Sequence, residues 1–154
     1  MLGPHAGARF PTELQPFVAD GLTRRKQYDF SDVITGPLGR AWAAADPHVV
    51  FIECPHARVA LDPNRAPPPD PQADLRASFE RLQRQHAGES VSFSGIDAIR
   101  PITFSGETVL VPPANEAQWT ALTGALASVR ALGHDAYRSA CDQVINAVLQ
   151  ARAP

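Results

Sequence analysis

"HVVFIECPHARVALDPNRAPPP", residues 48–69, is the stretch from which the fold of this chain is deduced. Residues 48–54 form a continuous run with β-branched and aromatic side chains, which is typical of a strand in a sheet that is covered on both faces. A second short strand is predicted over residues 57–61, and the prolines that follow predict an extended, stiff loop. A strand buried on both faces requires helices on each side of its sheet.

Helical patterns precede this stretch. Apolar residues at helical spacing predict a helix over residues 12–22 and another over residues 34–45. Ser31 and Asp32 are candidates for the N-cap of the second helix, because short polar side chains accept hydrogen bonds from the first turn.

Helices are also predicted after residues 48–69. Residues 70–71, Asp-Pro, predict the cap and first turn of a helix. Residues 101–113 predict a β-hairpin that turns at residues 105–106. Asn115 predicts the start of a further helix, which Gly133 is expected to break before a last one. This order of elements indicates one α/β domain.

Composition supports a single globular domain and excludes some classes of partner. The chain has 154 residues, of which 44% are hydrophobic, so it can bury one core. Its formal net charge is −2 and its pI is about 6.2. A balance of this kind argues against a surface for nucleic acid or for an anionic membrane.

The two cysteines and the lack of long apolar runs predict a cytoplasmic protein. Cys54 and Cys141 lie far apart and lack the spacing of metal ligands, so a reduced, buried pair is expected. No apolar run approaches the roughly 20 residues that a membrane span requires. The first residues, "MLGPHAGARFP", lack the pattern of a signal peptide.

Two stretches contain candidate metal ligands, one a histidine and the other two aspartates. His5, in "PHAGARFP", is held between a proline and a glycine and can present a nitrogen donor to zinc, or it is an ordinary surface histidine. Asp29 and Asp32, in "YDFSDV", are candidate carboxylate ligands. Helix capping is the competing interpretation of these aspartates.

Arg58 and Arg65 flank the second predicted strand. A guanidinium is a planar fork that matches a carboxylate, and the ends of strands are where α/β sheets usually bind ligands. Asp62 can orient an arginine, and Asn64 can donate to an oxygen of a substrate. A salt-bridge network that holds the proline loop explains the same residues equally well.

The remaining histidines are ambiguous. His134 follows Gly133 and is either a site residue or an ordinary histidine at a helix start. His48 and His56 flank the predicted core strand and have no assigned role.

Taken in order, these motifs resemble the N-formylglutamate amidohydrolase family. "PHAGARFP" is similar to the family's Pro-His-Ser/Ala-Gly motif with its later proline, and "SDVITGPL" to its Thr/Ser-Asp pair with a leucine six positions after the aspartate. "ARVALDPNRAPPP" is similar to its Ser-Arg-x-x-x-Asp-x-Asn-Arg strand followed by prolines, with alanine at the usual serine. "TFSGETVLVP" resembles its Thr-Phe-Asp/Ser-Gly-Glu hairpin, and His134 falls near the histidine of its Tyr-His helix start.

The resemblance implies a fold, a reaction and a set of site residues. The fold is α/β, a three-layer sandwich around a mixed sheet that is phosphorylase/hydrolase-like and related to zinc carboxypeptidases. In such enzymes, water bound to Zn²⁺ attacks the amide of N-formyl-L-glutamate, which gives formate and the free amino acid. The residues implied are His5 and Asp32 as metal ligands, Arg58, Asn64 and Arg65 as substrate-binding residues, Asp62 as a supporting residue and His134 as a catalytic residue.

The chain departs from the family pattern near its ends. The family carries a late Asp-x-His-Ser segment that supplies a further metal ligand, and this chain ends at "VLQARAP" without one. We therefore expect one N-formylglutamate amidohydrolase-like domain over residues 1–154 that lacks the family's C-terminal part and is incomplete at both ends. A third ligand would come from His56, from His134 or from a second subunit.

Two other functional interpretations stay open. The chain can be a relic that binds a small carboxylate through Arg58 and Arg65 without turnover. It can also assemble into a homo-oligomer through the apolar stripe of its last helix. The expected partner is a small-molecule carboxylate, with no nucleic acid and no membrane.

Overall fold

The computed structural model describes residues 1–28, 31–58, 61–92, 98–99, 101–103 and 106–152. Within these residues the protein is rich in helix and has a small parallel sheet of two strands, β1 (Leu2–Gly3) and β2 (Ile52–Glu53). The helical elements are a 3₁₀ helix (Thr12–Phe17), α1 (Arg24–Tyr28), α2 (Thr35–Ala45), α3 (Pro71–His86), α4 (Glu116–Val129), a π turn (Arg130–Asp135) and α5 (Ala136–Ala151). The predicted α/β class is confirmed at this level.

None of the helices among the described residues combines the length and the apolar character needed to cross a membrane.

The sheet pairs the start of the chain, β1, with β2. Leu2 pairs with Ile52 and Gly3 with Glu53 in parallel register. The alignment continues beyond the strands, where the backbone N–H of Ala57 donates to the carbonyl of Arg9 at 2.8 Å. The loop that carries His5 therefore runs beside the chain that leads to Arg58.

The predicted strand over residues 48–54 is shorter than expected. In the described residues only Ile52–Glu53 forms a ladder, because the strand that pairs with it has two residues. A side-chain pattern makes a run suitable for a strand, but a ladder also needs a partner of equal length. The second predicted strand, residues 57–61, includes Val59 and Ala60, which lie outside the described residues.

Two glycines allow α2 to approach the sheet. A Cβ on Gly3 would lie 2.9 Å from the Phe51 ring, and a Cβ on Gly39 of α2 would lie 2.5 Å from it. Both distances are below van der Waals contact, so the ring fills the space that two absent side chains leave. This packing holds the start of α2, and with it Asp32, close to β1.

The caps predicted for two helices are confirmed. Asp70 Oδ1 accepts hydrogen bonds of 3.0 Å from the backbone N–H groups of Gln72 and Ala73 at the start of α3. Asn115 Oδ1 accepts from the N–H of Gln118 at 3.0 Å at the start of α4. Both caps satisfy N–H groups that have no partner within their helix.

The main core lies between α3, α4 and the hairpin. Phe79 of α3 meets Trp119 of α4 edge to face, with ring centroids 5.8 Å apart. From the hairpin, Ile102 is buried and pairs with Thr108 in the antiparallel sense. The hairpin prediction is confirmed for these residues, and Gly106 of its turn has a φ of +83°. Ser105 lies outside the described residues.

Three predictions about helix ends are wrong. The first predicted helix is a 3₁₀ helix that ends at Phe17, and Val18 pairs instead with Leu110 of the hairpin. The N-cap of α2 is Ile34, without a side-chain cap, so neither Ser31 nor Asp32 caps it. Gly133 does not break the helix, because the chain passes from α4 to α5 through a π turn.

Gly39→Ala tests the packing of α2 on the sheet. We expect it to lower the free energy of unfolding by about 1–3 kcal/mol, because the new methyl overlaps the Phe51 ring. The control is Gly124→Ala in α4, where a Cβ meets no atom within 4 Å. The control should raise stability by up to about 1 kcal/mol, since alanine is the better helix former. Urea denaturation measures both, and an unchanged stability of Gly39→Ala would contradict the packing.

Candidate functional site

His5 lies on a loop that follows β1 and passes close to the residues after β2. A Cβ on Gly7 would lie 2.2 Å from the carbonyl oxygen of Cys54, so the loop can take this path only with glycine at this position. The backbone carbonyl of His5 accepts a hydrogen bond from the N–H of Asp32 at 2.9 Å. Backbone contacts on both sides therefore hold the imidazole in position.

The imidazole of His5 is at the centre of a cluster of charged side chains. Its Nε2 lies 2.7 Å from Asp62 Oδ1, and its Nδ1 lies 2.9 Å from Arg58 Nη1. A guanidinium can only donate, so Nδ1 accepts and the ring proton lies on Nε2, where it is donated to Asp62. Asp62 and Arg58 together select one tautomer of His5.

Asp32 faces the accepting side of the same ring. Its Oδ2 lies 3.5 Å from His5 Nδ1, and the Asp32 side chain is 59% exposed. Two ligands of one tetrahedral zinc ion, each about 2.0–2.1 Å from the metal, are separated by about 3.3 Å. The separation of His5 Nδ1 and Asp32 Oδ2 is close to this value, while Arg58 Nη1 occupies the Nδ1 lone pair. Asp62 contacts Nε2, as a carboxylate beside a metal-binding histidine commonly does.

Among the described residues, no third metal ligand lies beside His5 and Asp32. In the part of the chain that the structure describes, no group of three or more His, Cys, Asp or Glu side chains is suited to a metal ion. Asp29, the other candidate aspartate, lies outside the described residues. The described donor set for a metal is thus the pair His5 and Asp32.

Asp62 is buried and ionised. It is 6% exposed and accepts from His5 Nε2 and, at 2.9 Å, from the backbone N–H of Asn64. Burial by itself raises the pKa of Asp62, but these two hydrogen bonds and the charge of Arg58 outweigh burial and lower this pKa below its ordinary value. Asp62 was expected to orient an arginine. That is only part of its role, because its closest contact is with His5.

The two arginines differ in exposure. Arg58 is half-buried and contacts His5, whereas the Arg65 side chain is 60% exposed, with Nε 4.0 Å from Asp62 Oδ2. The side chain of Asn64 is exposed at the same turn. The structure thus places Arg58, Asn64 and Arg65 around the buried Asp62. A carboxylate clamp formed by these residues stays a prediction. The same contacts also have the form of an internal ionic network.

His134 lies behind the turn that carries Arg65. It is 2% exposed, with Nε2 3.0 Å from the backbone carbonyl oxygen of Arg65 and Nδ1 2.9 Å from Asp135 Oδ1. Both oxygens can only accept, so a neutral ring donates to one of them at a time. The ring thus links the Arg65 backbone to Asp135. A catalytic role for His134 stays a prediction.

Gly133 allows this arrangement. A Cβ at position 133 would lie 2.4 Å from Nδ1 of His56, so only glycine lets the π turn pack against that ring. Burial, followed by the charge of Arg9, lowers the pKa of His56. His48 is exposed and contacts Asp46, away from this packing. Neither His48 nor His56 is in contact with His5 in the described hydrogen bonds.

Two elements of the site were missed by the sequence patterns. The first is the contact between His5 and Asp62, which joins residues 57 positions apart. The second is the π turn, a structure that often occurs at functional sites. A glycine followed by a histidine and an aspartate was the only local signal for it.

Comparison of the chain with models of protein families, with curated proteins and with solved structures found no match in any of the three.

Asp62→Asn tests the ionised state of Asp62. Since its native pKa lies below the ordinary value of about 3.9, ionised Asp62 stabilises the fold at pH values above about 4, and this contribution is lost as the pH falls further. We expect the variant to be less stable by about 1.5–3 kcal/mol near pH 6, with a smaller difference near pH 3.

Urea denaturation between pH 3 and pH 7 measures this difference. Asp142→Asn removes an exposed carboxylate from α5 and serves as the control for loss of one charge. A stability difference for Asp62→Asn that is the same at every pH would contradict an ionised, hydrogen-bonded Asp62.

Proposed function

We propose that this chain is a zinc-dependent hydrolase that cleaves the amide bond of an N-formyl or N-acyl amino acid, such as N-formyl-L-glutamate. One observation carries the proposal. His5, Asp32 and Arg58 come from three separate segments, yet both Asp32 and Arg58 meet the same nitrogen of His5. These segments are the ones that resemble the N-formylglutamate amidohydrolase family.

The metal would be held by His5 and Asp32. The separation of 3.5 Å between His5 Nδ1 and Asp32 Oδ2 supports this assignment. Zinc bound there supplies a Lewis acid for an amide carbonyl and lowers the pKa of water. Asp62 holds the proton of His5 on Nε2, which leaves Nδ1 as the nitrogen that would bind the metal in place of Arg58.

The arginines would bind the carboxylates of the amino-acid part. Arg65 presents an exposed guanidinium next to the buried, negative Asp62, and Arg58 lies on the other side of the histidine ring. A substrate with a carboxylate on Arg65 would be fixed with its amide near His5, which reduces the entropy lost in reaching the transition state. His134 supports this binding by holding the Arg65 carbonyl.

The finer fold assignment is part of the same proposal. We propose that β1 and β2 belong to a larger mixed sheet in a three-layer sandwich, with α2 beside β1 and α5 beside β2. Contacts between these pairs of elements support it. A second subunit in a homo-oligomer would be one source of the third metal ligand. The proposed setting is amino-acid metabolism in the cytoplasm.

One observation favours the alternative function, binding of a carboxylate without turnover. Arg58 Nη1 lies 2.9 Å from His5 Nδ1 and so uses the lone pair that a metal would need. A metal at His5 would have to displace this arginine. If it does not, Arg58 and Arg65 remain as a clamp for a small carboxylate.

Asp32→Ala is the sharpest test of the metal site, because the Asp32 side chain is exposed and its loss should leave the fold intact. We expect about one zinc ion per chain in the purified protein, and loss of at least half of it in Asp32→Ala and in His5→Ala. The matched control is His48→Ala, since the His48 side chain is 91% exposed. Metal analysis measures zinc, and circular dichroism checks folding.

The same proteins are then assayed for formate release from N-formyl-L-glutamate. Zinc and turnover that disappear together in Asp32→Ala would support the hydrolase. A folded wild type without zinc, or zinc that both variants retain, would overturn the metal site and leave the binding function.

Arg58→Lys and Arg65→Lys test the clamp. We expect each to weaken the binding of N-formyl-L-glutamate about tenfold, because an ammonium cannot form the two parallel hydrogen bonds of a guanidinium. Arg25→Lys, at an exposed position of α1, is the control. Isothermal titration calorimetry measures the affinities, and unchanged binding in both variants would contradict a bidentate contact.

A further inference from the structure

Besides the cluster around His5, the protein has a cavity between the proline loop and α4. Its volume is about 280 Å³. Its apolar lining comes from the proline loop, the segment before the hairpin and α4. These lining residues are Leu61, Pro67, Pro68, Ile99, Leu126 and Ala127.

The walls of this cavity are preformed. Leu61, Ile99 and Leu126 are each less than 5% exposed, so they are anchored in the core while they line the cavity. Pro67 and Pro68 have a fixed φ and cannot easily close the space. Binding of a ligand therefore costs little conformational entropy of the protein.

Among the described residues that line the cavity, the cationic one is Arg130 of the π turn. Its described contacts are made by Nε, at 3.3 Å from Asp135 Oδ2 and 3.4 Å from Asp135 Oδ1. Its terminal nitrogens Nη1 and Nη2 take part in no described contact, so they can donate to a ligand. The acidic lining residue, Asp70, uses Oδ1 for the N-terminal N–H groups of α3.

Arg130 is held in place through its partner. Contact with His134, and then with Arg130, lowers the pKa of Asp135 despite a small opposing effect of burial. Asp135 therefore stays negative near neutral pH and fixes the Nε side of the guanidinium. A pre-positioned cation at the mouth of an apolar cavity is suited to a ligand with one negative end.

We propose that this cavity binds a small molecule with an apolar body and a single carboxylate, with the apolar part between the prolines and α4 and the carboxylate on Arg130. The volume is near the lower limit of small-molecule pockets, about 300 Å³, so the ligand has roughly the size of 3-phenylpropionate. The cavity shares no lining residue with the cluster around His5, and the proposal does not depend on the hydrolase.

Titration of the full chain with 3-phenylpropionate tests the proposal, with 3-phenylpropanol as a neutral analogue of similar shape. We expect the acid to bind at least tenfold more tightly than the alcohol, and Arg130→Gln to remove this preference. Ala127→Leu, which fills the cavity from the exposed surface of α4, should weaken binding of the acid at least tenfold. Ala121→Leu adds the same group elsewhere on α4 and should change nothing.

Three outcomes overturn the inference. The first is that wild type binds neither compound. The second is that acid and alcohol bind equally, which removes the role of Arg130. The third is that Ala127→Leu and Ala121→Leu bind the acid as wild type does, which places the ligand elsewhere. Loss of binding in Ala127→Leu with a retained acid preference in Ala121→Leu supports the cavity.

Discussion

The hydrogen bond between His5 Nε2 and the buried carboxylate of Asp62 is the contact on which the rest of the site depends. It joins the loop after β1 to the turn before the proline loop. A buried, ionised carboxylate is costly without donors, and His5 together with the N–H of Asn64 supplies them. The same bond sets the tautomer of His5, which determines what its other nitrogen can do. Support of the fold and chemistry of the site are therefore carried by one pair of side chains.

Two glycines allow the segments around His5 to approach closely enough for this contact. Gly7 lets the His5 loop lie on the backbone of residues 54–55, and Gly39 lets α2 approach the ring of Phe51. Without these two close approaches, the loop and the start of α2 would be pushed outward and Asp32 would move away from His5. In the part of the chain that the structure describes, the sheet has two short strands, which give little stiffness of their own. Helix packing therefore has to provide it.

The turn that carries Arg65 is supported from behind by the π turn. His134 holds the Arg65 carbonyl, and Asp135 connects that histidine to Arg130. An extra residue in the helical turn allows a buried imidazole to reach across to the loop, which a regular helix would not place there. The π turn thus supports Arg65 of the proposed carboxylate clamp and also carries Arg130, the cation that lines the cavity beside α4.

Local sequence patterns predicted the features that depend on residues three or four positions apart. The caps of Asp70 and Asn115 and the first turn of α3 belong to this class, because their hydrogen bonds are local. The motifs also indicated the residues that gather around His5, but not their pairing. Long-range packing is what brings Asp62 to His5, limits β2 to two residues and places Gly133 in a π turn. Each of these depends on a partner supplied by a distant segment, and local spacing carries no information about where such a partner will lie.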